Sequence, residues 1–193
     1  MKRLLALVFI LTICLCLFSC GEESDVPAGM KLASNTEIVD YKLFVPENWI
    51  VSESTRAATQ AFASESDRTN IIVNQWNITD TTRSIEDWWK NEYKPQVFEA
   101  GAVKNPDIKK DSEGKEGSNI TLGGKAAVKY EYVGMVGDTY FKYDVIGCIA
   151  NGSIYVIHIT YMEDGKPGEE VSFSTVESRK TEIEAMITNF RFE

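Results

Sequence analysis

The sequence predicts an α+β fold, in which helices pack on the faces of an antiparallel sheet of about six to seven strands. Strand-like segments follow one another without an intervening helix over residues 38–78, and again over residues 118–161. Asn151-Gly152, between two of these segments, is the strongest short hairpin signal in the chain. Two other segments, residues 85–97 and 174–190, carry apolar residues at helical spacing. Consecutive strands of this kind favour antiparallel pairing and exclude a doubly wound parallel sheet.

The predicted strands fall into two groups. The first strand has alternate apolar residues that share one face: Val39, Tyr41, Leu43 and Val45. Two more strands are expected over residues 59–65 and 70–78, and the polar segment 64–68 between them indicates a hairpin. The second group has four strands, at residues 118–122, 126–133, 139–150 and 153–161.

Two helices and one long loop complete the expected domain. Ser84 can cap the first helix, and Pro95 should end or kink it near Lys94. The polar segment Lys104–Ser118 contains glycines and predicts a mobile surface loop. Ser174-Thr175-Val176-Glu177 is a capping box that starts the last helix. That helix carries an apolar side: Val176, Ile183, Met186, Ile187 and Phe190.

The N-terminus has the pattern of an export signal. Lys2 and Arg3 precede the apolar run Leu4–Phe18, and Ser19-Cys20 offers a cleavage position. Leu17-Phe18-Ser19-Cys20 resembles the lipobox of bacterial lipoproteins, in which the cysteine sulfur receives a diacylglyceryl group. The run is shorter than the roughly 20 apolar residues that span a bilayer. An uncleaved anchor and ordinary secretion remain the alternatives.

The signal divides the chain into three parts. Residues 1–19 are predicted to be a lipoprotein signal peptide, residues 20–37 a lipidated Cys20 followed by a flexible tether, and residues 38–193 one domain. Such a tether would hold the domain about 20–25 Å from the lipid. The expected location is the cell membrane or envelope, outside the cytoplasm, with the membrane as a partner through Cys20.

Charge argues against one class of partner. The chain has a formal net charge of −9, and its acidic residues are interleaved with lysines, as in residues 109–116. Phosphate backbones repel a protein of this charge, so no nucleic-acid partner is expected.

Few residues in the sequence indicate a catalytic site or a metal site. Cys148 and His158 could in principle form a catalytic dyad. However, a two-residue turn at Asn151-Gly152 places Cys148 opposite Tyr155, and His158 then points to the other face of the sheet. We therefore expect Cys148 to be a small buried apolar group, and we predict no catalytic residue, metal site or cofactor.

Two loops have residues that could form a ligand site. Leu122-Gly123-Gly124-Lys125-Ala126 superficially suggests a phosphate loop, but it lacks the required spacing and indicates a hairpin turn instead. Carboxylates from Glu163 to Glu170 could bind Ca²⁺ weakly, although their spacing matches no EF-hand and a solvated loop is favoured.

Tryptophans provide the candidate interaction surface. Core packing accounts for most of the tryptophans, but Trp88 and Trp89 are consecutive and point about 100° apart on a helix, so one of them could lie at the surface. Exposed tryptophans are over-represented among binding hot spots. We therefore nominate Trp88 or Trp89 as the surface for a partner, together with three loops: those near Trp49, at Lys104–Ser118 and at Glu163–Glu170.

Several positions together resemble the PsbP-like family, which includes the extrinsic subunit of the photosystem oxygen-evolving complex and many bacterial lipoproteins. They are Phe44-Val45-Pro46 followed by Trp49, the 70–73 strand, Ile85 with Trp88-Trp89, Leu122–Ala126, and Ile187–Phe192. Asn48 departs from the glycine often found before that tryptophan. The resemblance implies a PsbP-like fold and an envelope location, but not a photosynthetic role.

The function expected from these observations is that of an envelope lipoprotein whose domain is a non-catalytic binding or accessory module for another envelope protein. The alternative is an extracytoplasmic enzyme or solute-binding protein that uses a carboxylate-lined pocket. A cleft holding a carboxylate with a perturbed pKa would favour the alternative, and an exposed apolar patch would favour partner binding.

Overall fold

The computed structural model describes residues 25–52, 58–64, 69–80, 82–163 and 174–193. The predicted signal peptide, residues 1–19, and Cys20 lie outside these ranges. In the described residues the fold is α+β, as predicted, and its main antiparallel sheet has eight strands. Among these residues, no helix combines the length and the apolar character needed to cross a bilayer.

The strands follow the predicted order closely in the second half of the chain. In the described residues the strands are β1 (Met30–Leu32), β2 (Tyr41–Lys42), β3 (Phe44–Pro46), β4 (Ile50–Ser52), β5 (Ala58–Phe62), β6 (Asn70–Asn77), β7 (Lys104–Ile108), β8 (Ser118–Leu122), β9 (Lys125–Val136), β10 (Thr139–Ala150), β11 (Ser153–Glu163) and β12 (Arg191–Phe192). The helices are α1 (Ile85–Trp88) and α2 (Ser174–Asn189), and π-helical turns over Trp89–Tyr93 and Pro95–Glu99 continue α1.

Hairpins dominate the main sheet, whose strand order is β4-β5-β6-β11-β10-β9-β7, with β8 also paired to β9. Asn151 and Gly152 both have positive φ, of 49° and 75°. Two such residues define a type I′ turn, whose twist matches that of the strands it joins. Ala150 therefore pairs with Ser153, as the sequence predicted. Residues 123 and 124 likewise have positive φ, which confirms the β8–β9 hairpin.

Both faces of the sheet are covered. On one face, called here the α2 face, α2 and the strands β1–β3 enclose a core that includes Leu43, Ile157 and Met186. On the other, the α1 face, α1 and its π-helical turns enclose a second core that includes Trp88, Val145 and Val156. The two cores lie on opposite sides because side chains alternate along each strand.

Close packing on the α1 face depends on two glycines in the sheet. A Cβ on Gly147 would lie 2.7 Å from a methyl carbon of Ile85, and a Cβ on Gly134 would lie 2.2 Å from one of Val103. Both distances are too short for real carbon atoms, so glycine is needed at 147 for α1, and at 134 for the segment that follows the π-helical turns, to pack against the sheet.

Three local predictions are corrected by the structure. The segment 104–118 is not wholly a loop, because Lys104–Ile108 forms β7 on β9; its polar residues suit an edge strand, and so does Pro106. Helical structure also continues past Pro95 as a π-helical turn, in which hydrogen bonds to the fifth residue back replace the usual ones.

The third correction concerns the predicted tether. Met30–Leu32 pairs with Phe44–Pro46, so regular structure begins eight residues before the predicted boundary at residue 38. A three-residue strand is too short to leave a periodic signal in the sequence.

Candidate functional site

The tryptophans predicted as an interaction surface are buried. Trp49, Trp88 and Trp89 are only 1%, 4% and 3% exposed. The indole nitrogen of Trp49 donates to the Glu182 carboxylate of α2 at 3.0 Å, which fixes that ring under the helix. The expectation that one of these side chains stays at the surface is therefore wrong.

Trp89 is buried because its ring packs on the sheet, against Tyr130 of β9, and because the turn before β8 contacts its indole nitrogen. Its ring stacks between Tyr130, at 4.0 Å between centroids, and Tyr93, at 4.7 Å. Its indole nitrogen donates to Glu116, in the turn before β8, at 2.8 Å. Trp76 on β6, which the sequence analysis did not nominate, is the tryptophan exposed to 38% among the described residues.

Cys148 and His158 do not meet, as predicted. Cys148 pairs with Tyr155 and is buried in the α2-face core, where burial raises its pKa to about 11. His158 pairs with Val145 and lies beside the Tyr93 ring on the α1 face. Burial lowers the pKa of His158 to about 4. The Cys148 thiol keeps its proton and lies on the opposite face of the sheet from the His158 imidazole. The two side chains therefore cannot act together as a nucleophile and its general base.

Most of the proposed Ca²⁺ loop lies outside the described residues, which contain Glu163 but not residues 164–173. Within the described ranges, no group of three or more His, Cys, Asp or Glu side chains is placed to hold a metal ion.

The structure instead brings together four charged side chains on the α2 face of β9 and β10. Glu131 and Asp144 are directly opposite each other across the two strands. Like charges in one rung repel, and a lysine on each side offsets that repulsion. The Lys129 ammonium lies 3.0 Å from Asp144 and 3.6 Å from Glu131, and the Lys142 ammonium lies 3.6 Å from both carboxylates. We call Lys129, Glu131, Lys142 and Asp144 the charged square.

Asp144 is buried and the other three members of the square are partly buried, so these charges are less screened by water than fully exposed pairs are. Asp144 is 5% exposed, and its Oδ1 atom is buried without a hydrogen-bond partner. Burial alone would lower the pKa of Lys129, but the attraction of Asp144 outweighs it and the pKa stays above its ordinary value. Burial would also raise the pKa of Glu131, yet Lys109 and Lys129 together hold it below its ordinary value.

Two open clefts meet at Lys129. The α2 cleft, of about 210 Å³, lies between α2 and the sheet, and its lining includes Lys129, Asp144, Ile146, Ile159, Ile183 and Ile187. The loop cleft, of about 190 Å³, is lined by Lys129 and Glu131 together with residues of the 109–118 segment, among them Lys109, Lys115 and Ser118. Three members of the square therefore form charged walls of these clefts: Lys129 in both, Asp144 in the α2 cleft and Glu131 in the loop cleft.

The chemistry of the square suits recognition better than acid–base catalysis. A general acid at neutral pH needs a raised pKa, whereas the pKa of Glu131 is lowered by its lysine neighbours. Four fixed charges of alternating sign can instead pair with charged or polar groups of a ligand or partner.

The charged square was not predicted from the sequence, although the sequence contains a signal for it. Lys129 and Glu131 occur at alternate positions of one predicted strand, and Lys142 and Asp144 do so in the next. In each strand the residues further along the same face are apolar, for example Ile146 and Cys148. The hairpin between β9 and β10 was needed to bring the two pairs together.

Comparisons with known proteins bear on the fold. No protein-family model matches the chain, and no curated protein does. The solution structure of cyanobacterial PsbP (CyanoP) from Synechocystis sp. PCC 6803 is similar, with a TM-score of 0.51 and 15% identity, over 91% of this chain and 98% of that one. The chain therefore has a PsbP-like α+β fold.

Two further structures are similar at lower scores. A crystal structure from Bacteroides thetaiotaomicron VPI-5482 has a TM-score of 0.49 and 11% identity over 86% of this chain, which spans about half (49%) of that protein. LpqN, involved in cell envelope biogenesis of Mycobacterium tuberculosis, has a TM-score of 0.45 and 16% identity, over 78% of this chain and 82% of that one.

Proposed function

We propose that this protein is a bacterial envelope lipoprotein, anchored through a lipidated Cys20, whose PsbP-like domain is a non-catalytic binding or accessory module for another envelope protein. The signal sequence and the lipobox-like Leu17–Cys20 support the anchor. Two acyl chains on one cysteine are enough for stable attachment, whereas one chain is not.

The observation that carries the binding function is the charged square between two small, open clefts. Pockets for small molecules usually enclose about 300–1,000 Å³. The α2 cleft and the loop cleft are each smaller, at about 210 and 190 Å³. Shallow clefts of this size can receive single protruding side chains of a protein, and the fixed charges can set the register of such a partner.

The carboxylates in the two clefts also fit the alternative function, a solute-binding protein. The two clefts share Lys129 as a wall, and each has a carboxylate in its lining, Asp144 in the α2 cleft and Glu131 in the loop cleft. The lowered pKa of Glu131 favours ligand binding over acid–base catalysis in the loop cleft as well.

Site-specific photo-crosslinking in the native membrane tests the binding function. A photoreactive residue at Thr188, an exposed wall of the α2 cleft, should give an adduct of defined mass. The same residue at Lys90, exposed on the opposite side of the domain, is the matched control and should not give that adduct.

A paired substitution links the adduct to the charged square. Lys129→Met with Asp144→Leu removes both partners of one ion pair, which is often nearly neutral for stability. The variant should keep its circular dichroism spectrum and lose the adduct. An equal adduct at Lys90, or an adduct that survives in the folded double variant, would contradict the proposed role of this face.

A further inference from the structure

The chain is fixed to the domain from residue 25 onward, close to the proposed lipid anchor. The Asp25 carboxylate accepts a hydrogen bond from the Lys42 ammonium at 2.6 Å and is ion-paired with Arg191. The hydrogen bond from Lys42, with the charge of Arg191, holds the pKa of Asp25 below its ordinary value, so it is ionised at neutral pH. Asp25 is thereby held beside β2 and β12.

The residues that follow are held as well. The Met30 amide donates to the Pro27 carbonyl at 3.1 Å, and β1 then pairs with β3. Ser34 is buried, and its hydroxyl accepts from the Leu43 amide at 3.1 Å. Residues 27–34 are therefore part of the domain rather than of a tether.

This attachment leaves a very short connection to the membrane. Four residues, 21–24, separate Cys20 from Asp25. Five residue steps span at most about 17 Å even when fully extended. A domain held so closely cannot present all its sides to the bilayer equally.

The fixed point defines one end of the molecule. Next to it, the Glu193 amide donates to the Asp40 carbonyl, and the ring of Phe192 lies against Gly123 in the β8–β9 turn. The Asn151 side chain in the β10–β11 turn donates to the Glu193 carbonyl at 3.4 Å. Two sheet hairpins thus turn at this end.

Exposed apolar side chains occur at the same end. Leu32 pairs with Phe44, two residues from Lys42, and is 39% exposed. Ile38 lies four residues before Lys42 and is 49% exposed. We call Leu32, Ile38, Lys42 and Arg191 the N-terminal rim.

We propose that the N-terminal rim faces the lipid bilayer and that the short connection at Asp25 sets this orientation; the inference rests on the proposed lipidation of Cys20. Leu32 and Ile38 can enter the interface, where exposed apolar groups are stabilised by leaving water. Lys42 and Arg191, with the Asp25 and Glu193 carboxylates to which they are ion-paired, can stay among the polar lipid headgroups. The opposite end of β9 then points away from the membrane.

This orientation also places the α2 cleft near the lipid. Thr188, a wall of the cleft, precedes Arg191 of the rim by three residues. Thr121, another wall, is two residues from Gly123, on which Phe192 packs. A partner that binds in the α2 cleft would therefore bind close to the bilayer surface.

Fluorescence quenching in vesicles tests the orientation. Full-length protein is purified from membranes in a Cys148→Ala background, with a bimane label on Ile38→Cys or on Val136→Cys. Val136 is a matched control because it is 46% exposed, similar to Ile38. It also lies at the far end of β9, eleven residues from Lys125, which is about 36 Å along a strand. The vesicles are phosphatidylcholine with a headgroup-nitroxide lipid.

We expect the nitroxide lipid to quench the label at residue 38 several-fold more strongly than the label at residue 136. Equal quenching at the two positions in lipidated protein would overturn the orientation and leave the anchor standing. A residue-38 label that is shielded from both the nitroxide lipid and aqueous iodide would also overturn it, since a second copy would then cover the rim. The mass of each sample is measured first, because protein without a diacylglyceryl group would overturn the anchor itself.

Discussion

His158 is the single histidine of the sequence, and its surroundings make stability depend on pH. Burial lowers its pKa from 6.5 to about 4, so the folded protein holds it neutral in the range where an unfolded chain would protonate it. Its contribution to stability is therefore complete above pH 6.5 and is lost as the pH falls toward 4. The full loss amounts to about 3 kcal/mol in the free energy of unfolding.

The variant His158→Phe tests this dependence. It keeps a ring beside Tyr93 but cannot titrate. Urea unfolding at a series of pH values should show wild type losing more stability than the variant between pH 6.5 and 4. Parallel curves for the two proteins would contradict the assignment to His158. Carboxylates with lowered pKa values, such as Glu131, affect both proteins alike and cancel in the comparison.

At the residue scale, buried side chains were predicted more accurately from the sequence than exposed ones were. Cys148 is buried and faces away from His158, as the hairpin register required. Trp88 and Trp89 were expected to differ in exposure because they diverge on a helix, but both are buried. Trp89 stacks on Tyr130 of β9 and donates to Glu116 in the turn before β8, and no helical periodicity reports such long-range contacts.

At the scale of elements, the turn before β8 acts as a clamp on the helical segment. Glu116 accepts hydrogen bonds from the Trp89 indole at 2.8 Å and from the Lys94 ammonium at 3.0 Å. Burial would raise the pKa of Glu116, but these two bonds outweigh it and the pKa is lowered. The clamp therefore persists at neutral pH and weakens as acid protonates Glu116.

Replacing this acceptor should destabilise the domain. Glu116→Ala leaves the indole N–H of buried Trp89 without a partner, which costs about 1–3 kcal/mol in the free energy of unfolding. Glu113→Ala, at an exposed position of the same turn, is the control and should have little effect. The measurement is urea unfolding followed by tryptophan fluorescence. Equal urea midpoints for the two variants would show that Glu116 does not stabilise the domain through its contacts with the helical segment.

Among the elements, hairpins were predicted most accurately. Two-residue turns at 123–124 and 151–152 fix which strand residues are paired, so the bounds of β8 and β10 agree with prediction. Strands β1 and β7 were missed, because one is three residues long and the other is polar throughout most of its length. Both segments are strands because they pair with β3 and β9, and their own residues do not indicate this.

At the scale of the whole molecule, the sequence predicted the fold but not the candidate site. The α+β class follows from consecutive strands, and it is shared with cyanobacterial PsbP. The charged square depends on register across β9 and β10, which composition does not encode. The short connection before Asp25 likewise depends on ion pairs with residues 42 and 191, far along the chain.

The central claim is that the domain works at a membrane to which Cys20 attaches it. The most direct test is the intact mass of the membrane-extracted protein beside that of a Cys20→Ala variant. We predict a mature chain that begins at Cys20 and carries the diacylglyceryl mass, and no such species from the variant. A chain that retains Met1, or one cut elsewhere without lipid, would contradict the anchor and the orientation that depends on it.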